Sequence, residues 1–235
     1  MATNLGWFSV RSDEDLVPVL KRLRQRAAKD DMPEGFRIAA PKAPAKPTGL
    51  EAFKALFTKT SPEPVFTSTM LLGWQFHAAP LWAQAVSQEL GCVAISFFVF
   101  EDTWNYAIFD SGNEVAAMEV YALPEPVLHG DVERAASLFG VDTSLFRRYE
   151  DALHAALVEA DQGEDEPTPF PGDEYAPHDE WAHVDFARRL GNIPYPEEGV
   201  EFRWDEDAPP VDNAAWLGLP PRLPSPTEPP IATTV

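Results

Sequence analysis

His178, His183 and Asp185 are the first residues to weigh for chemistry, because two imidazoles and a carboxylate within eight positions are a common raw material for metal sites. Two histidines on a helix reach one ion when they stand four residues apart on one face. Here they stand five apart, which turns them about 140° from each other around a 3.6-residue turn. The pair therefore reads as the solvated start of a helix, and no metal is expected. A second group is Glu101, Asp102 and Asp110. Paired carboxylates can work as acid and base or bind a divalent cation. No third ligand or partner base stands at a diagnostic spacing, and Asp and Glu are ordinary turn residues.

Trp104 and Tyr106 follow the acidic pair at alternate positions, so they share one face of a strand. Core packing is their plain reading. The sharper one is an aromatic surface rimmed by carboxylates, which would take a basic or aromatic partner through ring anchors and complementary charge. Glu101, Asp102, Trp104 and Tyr106 are accordingly the candidate partner-binding residues. No catalytic residue and no cofactor is expected. The chain has no G-x-S-x-G elbow, no G-x-G-x-x-G and no phosphate loop. His77, His129 and His154 have no local nucleophile. The only cysteine, Cys92, excludes an internal disulfide and a multi-cysteine metal site, and it reads as an inert core thiol. Pro221-x-x-Pro224 is a spacing that any Pro-rich tail contains by chance.

Most of these residues hang on one stretch, Cys92 to Tyr121. Val93 to Phe100 is an apolar run rich in β-branched and aromatic types, between Gly91 and the polar Glu101-Asp102-Thr103. A run that short predicts a strand buried on both faces. Trp104, Tyr106 and Ile108 alternate with Asn105, Ala107 and Phe109. Asp110-Ser111-Gly112-Asn113 is turn chemistry, and Glu114 to Tyr121 is a third strand. Three strands on short turns predict an antiparallel meander covered by helices.

Around it, a short strand is expected within residues 1–10. Asp15 caps a helix to about Ala28, with Leu16, Leu20, Leu23 and Ala27 on its inner face and a basic outer face. Residues 30–49 read as a loop, and Glu51 to Lys59 as a short helix with Phe53, Leu56 and Phe57 on one side. Val65 to Phe76 is a strand. Pro80 opens a helix that Gly91 ends. Asp131 caps a helix stopped by Gly140, and Thr143 caps one to about Glu159 with Phe146, Tyr149, Leu153 and Leu157 in a stripe. The fold class is α+β, a mostly antiparallel sheet of three to five strands covered by helices and followed by an acidic, Pro-rich C-terminal extension. Residues 1–158 form the domain and 159–177 an acidic mobile linker. Residues 178–216 form a helical extension packing on the domain, with Trp181, Val184 and Ala187 on its inner side. Residues 217–235 form a Pro-rich disordered tail.

Charge narrows function more than any motif. The 235 residues carry a net charge of −20 and 24 prolines. Residues 1–59 hold 11 Lys or Arg against 7 Asp or Glu, the rest hold 7 against 31, and residues 60–133 hold no Lys or Arg. That field repels nucleic-acid phosphates and anionic membranes, so neither is an expected partner. No stretch nears the roughly 18 apolar residues of a membrane span, and the first ten residues lack the pattern of a secretory signal. A cytoplasmic protein is expected, and Ala, Pro and Arg usage suggests a bacterial, GC-rich source. The leading functional expectation is a non-enzymatic acidic binding protein that sequesters or regulates a basic protein partner, in the manner of a toxin-neutralising immunity protein or a regulator. Two alternatives stand beside it. One is a hydrolase or metal-dependent enzyme without a short motif, using Glu101, Asp102 or Asp110. The other is a structural or oligomeric protein kept soluble by its charge.

Overall fold

A computed structural model describes residues 4–27, 31–39, 65–100, 103–119, 127–159, 168–177, 179–197 and 199–203. Among the described residues eight strands form one sheet: β1 (Leu5–Arg11), β2 (Gly35–Ile38), β3 (Phe66–Leu72), β4 (Val93–Phe100), β5 (Thr103–Asp110), β6 (Asn113–Glu119), β7 (Val127–Gly130) and β8 (Val200–Arg203). Their order is β7-β6-β5-β4-β1-β3-β2-β8, and every neighbouring pair is antiparallel. The helices are α1 (Leu16–Arg24), α2 (Ala79–Leu90), α3 (Val132–Phe139), α4 (Ser144–Glu159) and α5 (Ala182–Arg189), with a 3-10 turn at Phe76–Ala78 before α2. The expected α+β class and antiparallel meander are therefore present, inside a sheet larger than the three to five strands expected.

Each sheet face has its own core, as the pleat requires. On one face, Ile95, Phe97, Trp104, Tyr106 and Ile108 meet Phe146, Tyr149 and Phe186 of α4 and α5, and Phe139 of α3. On the other, Phe8, Val10 and Phe36 meet Leu16, Leu20 and Leu23 of α1 and Trp82 and Val86 of α2. Ala94, Ala107 and Ala117 lie on this second face. Their small side chains leave room for α2 to approach the meander closely.

Local chemistry sets the element ends. The Asp15 carboxylate accepts from the Val17 N–H at 3.0 Å, and Asp131 accepts from the Arg134 N–H at 2.9 Å. Gly91 and Gly140 end their helices in the left-handed region, at φ 60° and 68°. At the start of α4 the capping carboxylate is Asp142, accepting from the Ser144 N–H at 2.8 Å, one residue before the expected Thr143. Ser111 and Gly112 join β5 to β6 with φ of 52° and 82°, a two-residue turn whose twist suits a hairpin.

The C-terminal part enters both the core and the sheet. Phe186 of α5 stacks on Tyr106 with ring centroids 4.8 Å apart, so α5 fills one core. β8 pairs with β2 at the sheet edge. The domain thus continues to at least Arg203. Residues 168–177, placed by sequence in a mobile linker, are pinned instead. The buried Asp173 accepts from Arg189 Nε at 2.6 Å and from the Tyr149 hydroxyl and the Phe170 N–H at 3.1 Å each. Asp185 holds the same loop by accepting from the Glu174 and Tyr175 N–H groups at 2.7 and 3.0 Å. Glu51–Lys59 and the tail 217–235 lie outside the described residues. No helix among the described residues is long and apolar enough to cross a membrane.

Candidate functional site

The β4–β5 hairpin carries the residues singled out from sequence, but its aromatic surface stands on the opposite face from the one expected. Trp104 is 0% and Tyr106 3% exposed. Trp104 donates through Nε1 to the Pro177 carbonyl at 2.9 Å, and burial pushes the Tyr106 phenol well above its ordinary range. Both rings lie beneath α4 and α5 and present nothing to a partner. The physical reason is that their strand face is the one those helices cover. Glu101 and Asp102 lie outside the described residues.

On the other face, β4 carries Phe98 and Phe100 two residues apart. Their ring centroids are 6.4 Å apart and inclined by 21°. Phe76, from the 3-10 turn, stacks on Phe98 at 5.7 Å and 11°, and on Phe100 at 6.4 Å and 23°. Aromatic stacks at such distances contribute beyond their area burial. His77 stands edge-on to Phe76 at 6.0 Å. Gly6 makes the close approach of this turn possible, because a Cβ there would sit 1.9 Å from the Phe76 carbonyl oxygen. Trp74, two residues before Phe76, is 78% exposed, and Phe100 is 40% exposed. Beside Phe98, Pro80 at the start of α2 and Asn105 and Glu119 of the meander line a niche of about 10 Å³.

Every residue of this aromatic face comes from the Lys/Arg-free stretch 60–133, and Phe100 is followed directly by Glu101 and Asp102. Many of the described arginines are engaged in pairs elsewhere. Arg22 and Arg26 bind Glu89 at 3.0 and 3.2 Å, and Arg22 above all holds that carboxyl below its ordinary range. Arg37 binds Glu201 at 2.7 Å and Arg134 binds Asp110 at 2.6 Å. The basic side of α1 thus serves in part as internal counter-charge. Asp110, one of the candidate acid or base groups, is held in a surface ion pair.

The remaining candidates fall into structural places. His183 is not at a solvated helix start. It is fully buried in a box of rings formed by Trp7, Phe97, Trp181 and Tyr195, with centroids 5.8 to 6.0 Å from its own. Its Nδ1 donates to the Glu180 carbonyl at 2.7 Å, Nε2 has no partner among the described residues, and burial pushes its pKa down to about 4. His178 lies outside the described residues. On α5 the inner side is Ala182, His183, Asp185, Phe186 and Ala187; Val184, expected there, is only half-buried. Cys92 sits partly buried before β4, and burial first, then the Glu14 charge, pushes its thiol up to about 11, so it stays protonated. Among the described residues no group of three His, Cys, Asp or Glu could hold a metal ion.

Sequence reasoning missed Trp74, Phe76, Phe98 and Phe100. Val93–Phe100 is apolar at every position, so its pattern does not say which ring reaches the rim. The usable signals were Trp74 behind Gly73, a tryptophan in a turn, and Phe100 abutting an acidic pair. No family model matches the chain, and neither a curated protein nor a solved structure does.

Proposed function

We propose that this is a non-enzymatic binding protein that sequesters or regulates a basic protein partner through the aromatic face of Trp74, Phe76, Phe98 and Phe100. The observation that carries the reading is the stacked cluster of Phe76, Phe98 and Phe100, with Phe100 40% exposed and Trp74, two residues before Phe76, 78% exposed, all drawn from the cation-free part of a chain of net charge −20. A large aromatic group standing in water marks a recognition surface more strongly than scattered aliphatic exposure does. Rings supply the anchor, and surrounding carboxylates attract a positive partner from a distance and select its sign. The protein captured from its host lysate should be basic, bind stoichiometrically and leave in a salt step. Trp74→Ala with Phe100→Ala should weaken it by at least tenfold, since such anchors contribute roughly 2 kcal/mol or more. A partner that is acidic, or that binds the double variant equally well, overturns the reading.

A further inference from the structure

A second concave site lies at the opposite end of the sheet from the aromatic face. It is a groove of about 400 Å³ between the N-terminus of α1, the ends of β2 and the starts of β3 and β8. That volume lies within the range of small-ligand pockets, roughly 300 to 1,000 Å³. Thr67 apart, the lining divides into apolar and acidic residues. Leu16, Val17, Ile38, Ala39 and Val200 make it apolar, and Val200 is 72% exposed. Its charged residues are Asp13, Glu14 and Asp15, all exposed and consecutive before α1.

The acidic loop is ordered by its own hydrogen bonds. The Glu14 N–H donates to Ser12 Oγ at 3.1 Å, Thr67 Oγ1 donates to the Ser12 carbonyl at 3.3 Å, and Asp15 caps α1. None of the ion pairs among the described residues uses Asp13, Glu14 or Asp15. Nor do these carboxylates belong to a described group that could hold a metal ion. An apolar cavity with an anionic rim, Asp13 and Glu14 outside the ion pairs of the described residues and Asp15 capping α1, complements one kind of molecule. Its body must be apolar to displace water from the aliphatic walls, and its head must be positive and broad enough to meet separated carboxylates.

We propose that the groove binds a small organic cation, an amine on an apolar body of one or two rings. The site is independent of the partner-binding face and does not rest on that reading. An anionic ligand of the same shape would meet three like charges at the mouth. A neutral one would gain the apolar contact alone.

The test uses three probes that share an indole body: tryptamine, 3-ethylindole and indole-3-propionate. They are titrated into the full chain while the methyl resonances of Leu16, Val17, Ile38 and Val200 are followed by NMR. Saturable shifts at those methyls are expected, with affinity falling from amine to neutral compound to carboxylate. Asp13→Asn with Glu14→Gln should weaken tryptamine about fivefold, the scale of exposed charge pairs, and leave 3-ethylindole unchanged. Asp15 is kept because it caps the helix, and an unchanged thermal midpoint would show that the double variant is folded. Equal affinity for amine and carboxylate, shifts confined to other methyls, or no saturable shift would overturn the proposal. So would tryptamine binding that requires Phe53, Leu56 and Phe57 to be changed to serine first. That outcome would assign the groove to the chain's own residues between Ala39 and Val65.

Discussion

His183 shows how a residue chosen for its chemistry becomes part of a core. Rings surround it, and among the described residues its one hydrogen bond runs from Nδ1 to the Glu180 carbonyl. Its pKa falls from 6.5 to about 4 on folding. The unfolded chain therefore takes up a proton between those values while the folded chain does not. The native state has its full stability above pH 6.5 and loses roughly 3 kcal/mol from this residue as the pH falls toward 4. His183→Phe keeps the ring contacts and removes the titration. Thermal unfolding at pH 7 and pH 4.5 should show a smaller acid loss in the variant than in the parent chain; equal losses would mean that the imidazole is not held neutral. Asp173 is the complementary case, a buried carboxylate with three donors. Asp173→Ala leaves Arg189 without its carboxylate, holding only the Pro171 carbonyl, and removes the acceptor of two other donors, so it should cost about 3 kcal/mol by urea denaturation. A loss below about 1 kcal/mol, the scale of an exposed pair, would place the 168–177 loop outside the cooperative unit.

The sheet's centre was legible from sequence and its edges were not. The strands of the meander are seven or eight residues long, enough for alternation to separate Trp104, Tyr106 and Ile108 from Ala107 and Phe109. β2, β7 and β8 have four residues each, too few for a period to show, and they exist because a neighbour offers a ladder. The helix caps at Asp15, Gly91, Asp131 and Gly140 were legible because capping is a local matter of one side chain or one left-handed residue. The candidate site was legible only as far as its hairpin. Which face of β4–β5 takes Trp104 and Tyr106 into a core, and that the other face is left uncovered only near Phe100, depends on where the helices pack, and that is a long-range fact. Gly6 tests the 3-10 turn that brings Phe76 onto Phe98 and Phe100. Gly6→Ala drives a methyl group into the Phe76 carbonyl. It should cost about 1 to 3 kcal/mol as overpacking does, and it should weaken partner binding by displacing Phe76 from the stack. A variant with parental stability and affinity would show that the 3-10 turn is free to shift.

As a whole, the molecule is a three-layer unit whose two cores depend on residues far apart in the chain. Phe186 packs on Tyr106, Phe146 and Tyr149, with centroids 4.8, 5.7 and 5.0 Å away. A fragment ending at residue 158 would leave those rings in water. It should show no cooperative unfolding transition by circular dichroism, whereas residues 1–203 should retain one. The charge is also a property of the whole, since arginines of α1, α5 and the sheet edges are largely consumed by internal pairs. The remaining surface is rich in carboxylates, and on it, among the described residues, Trp74 and Phe100 stand exposed. The most direct test is the dissociation constant of the captured partner, measured between about 0.05 and 0.3 M salt, for the parent chain and for Trp74→Ala with Phe100→Ala. Binding through this face predicts an affinity that weakens steadily with salt in both, and that is at least tenfold lower in the variant at every salt concentration. An affinity indifferent to salt, or equal in the two proteins, would contradict it.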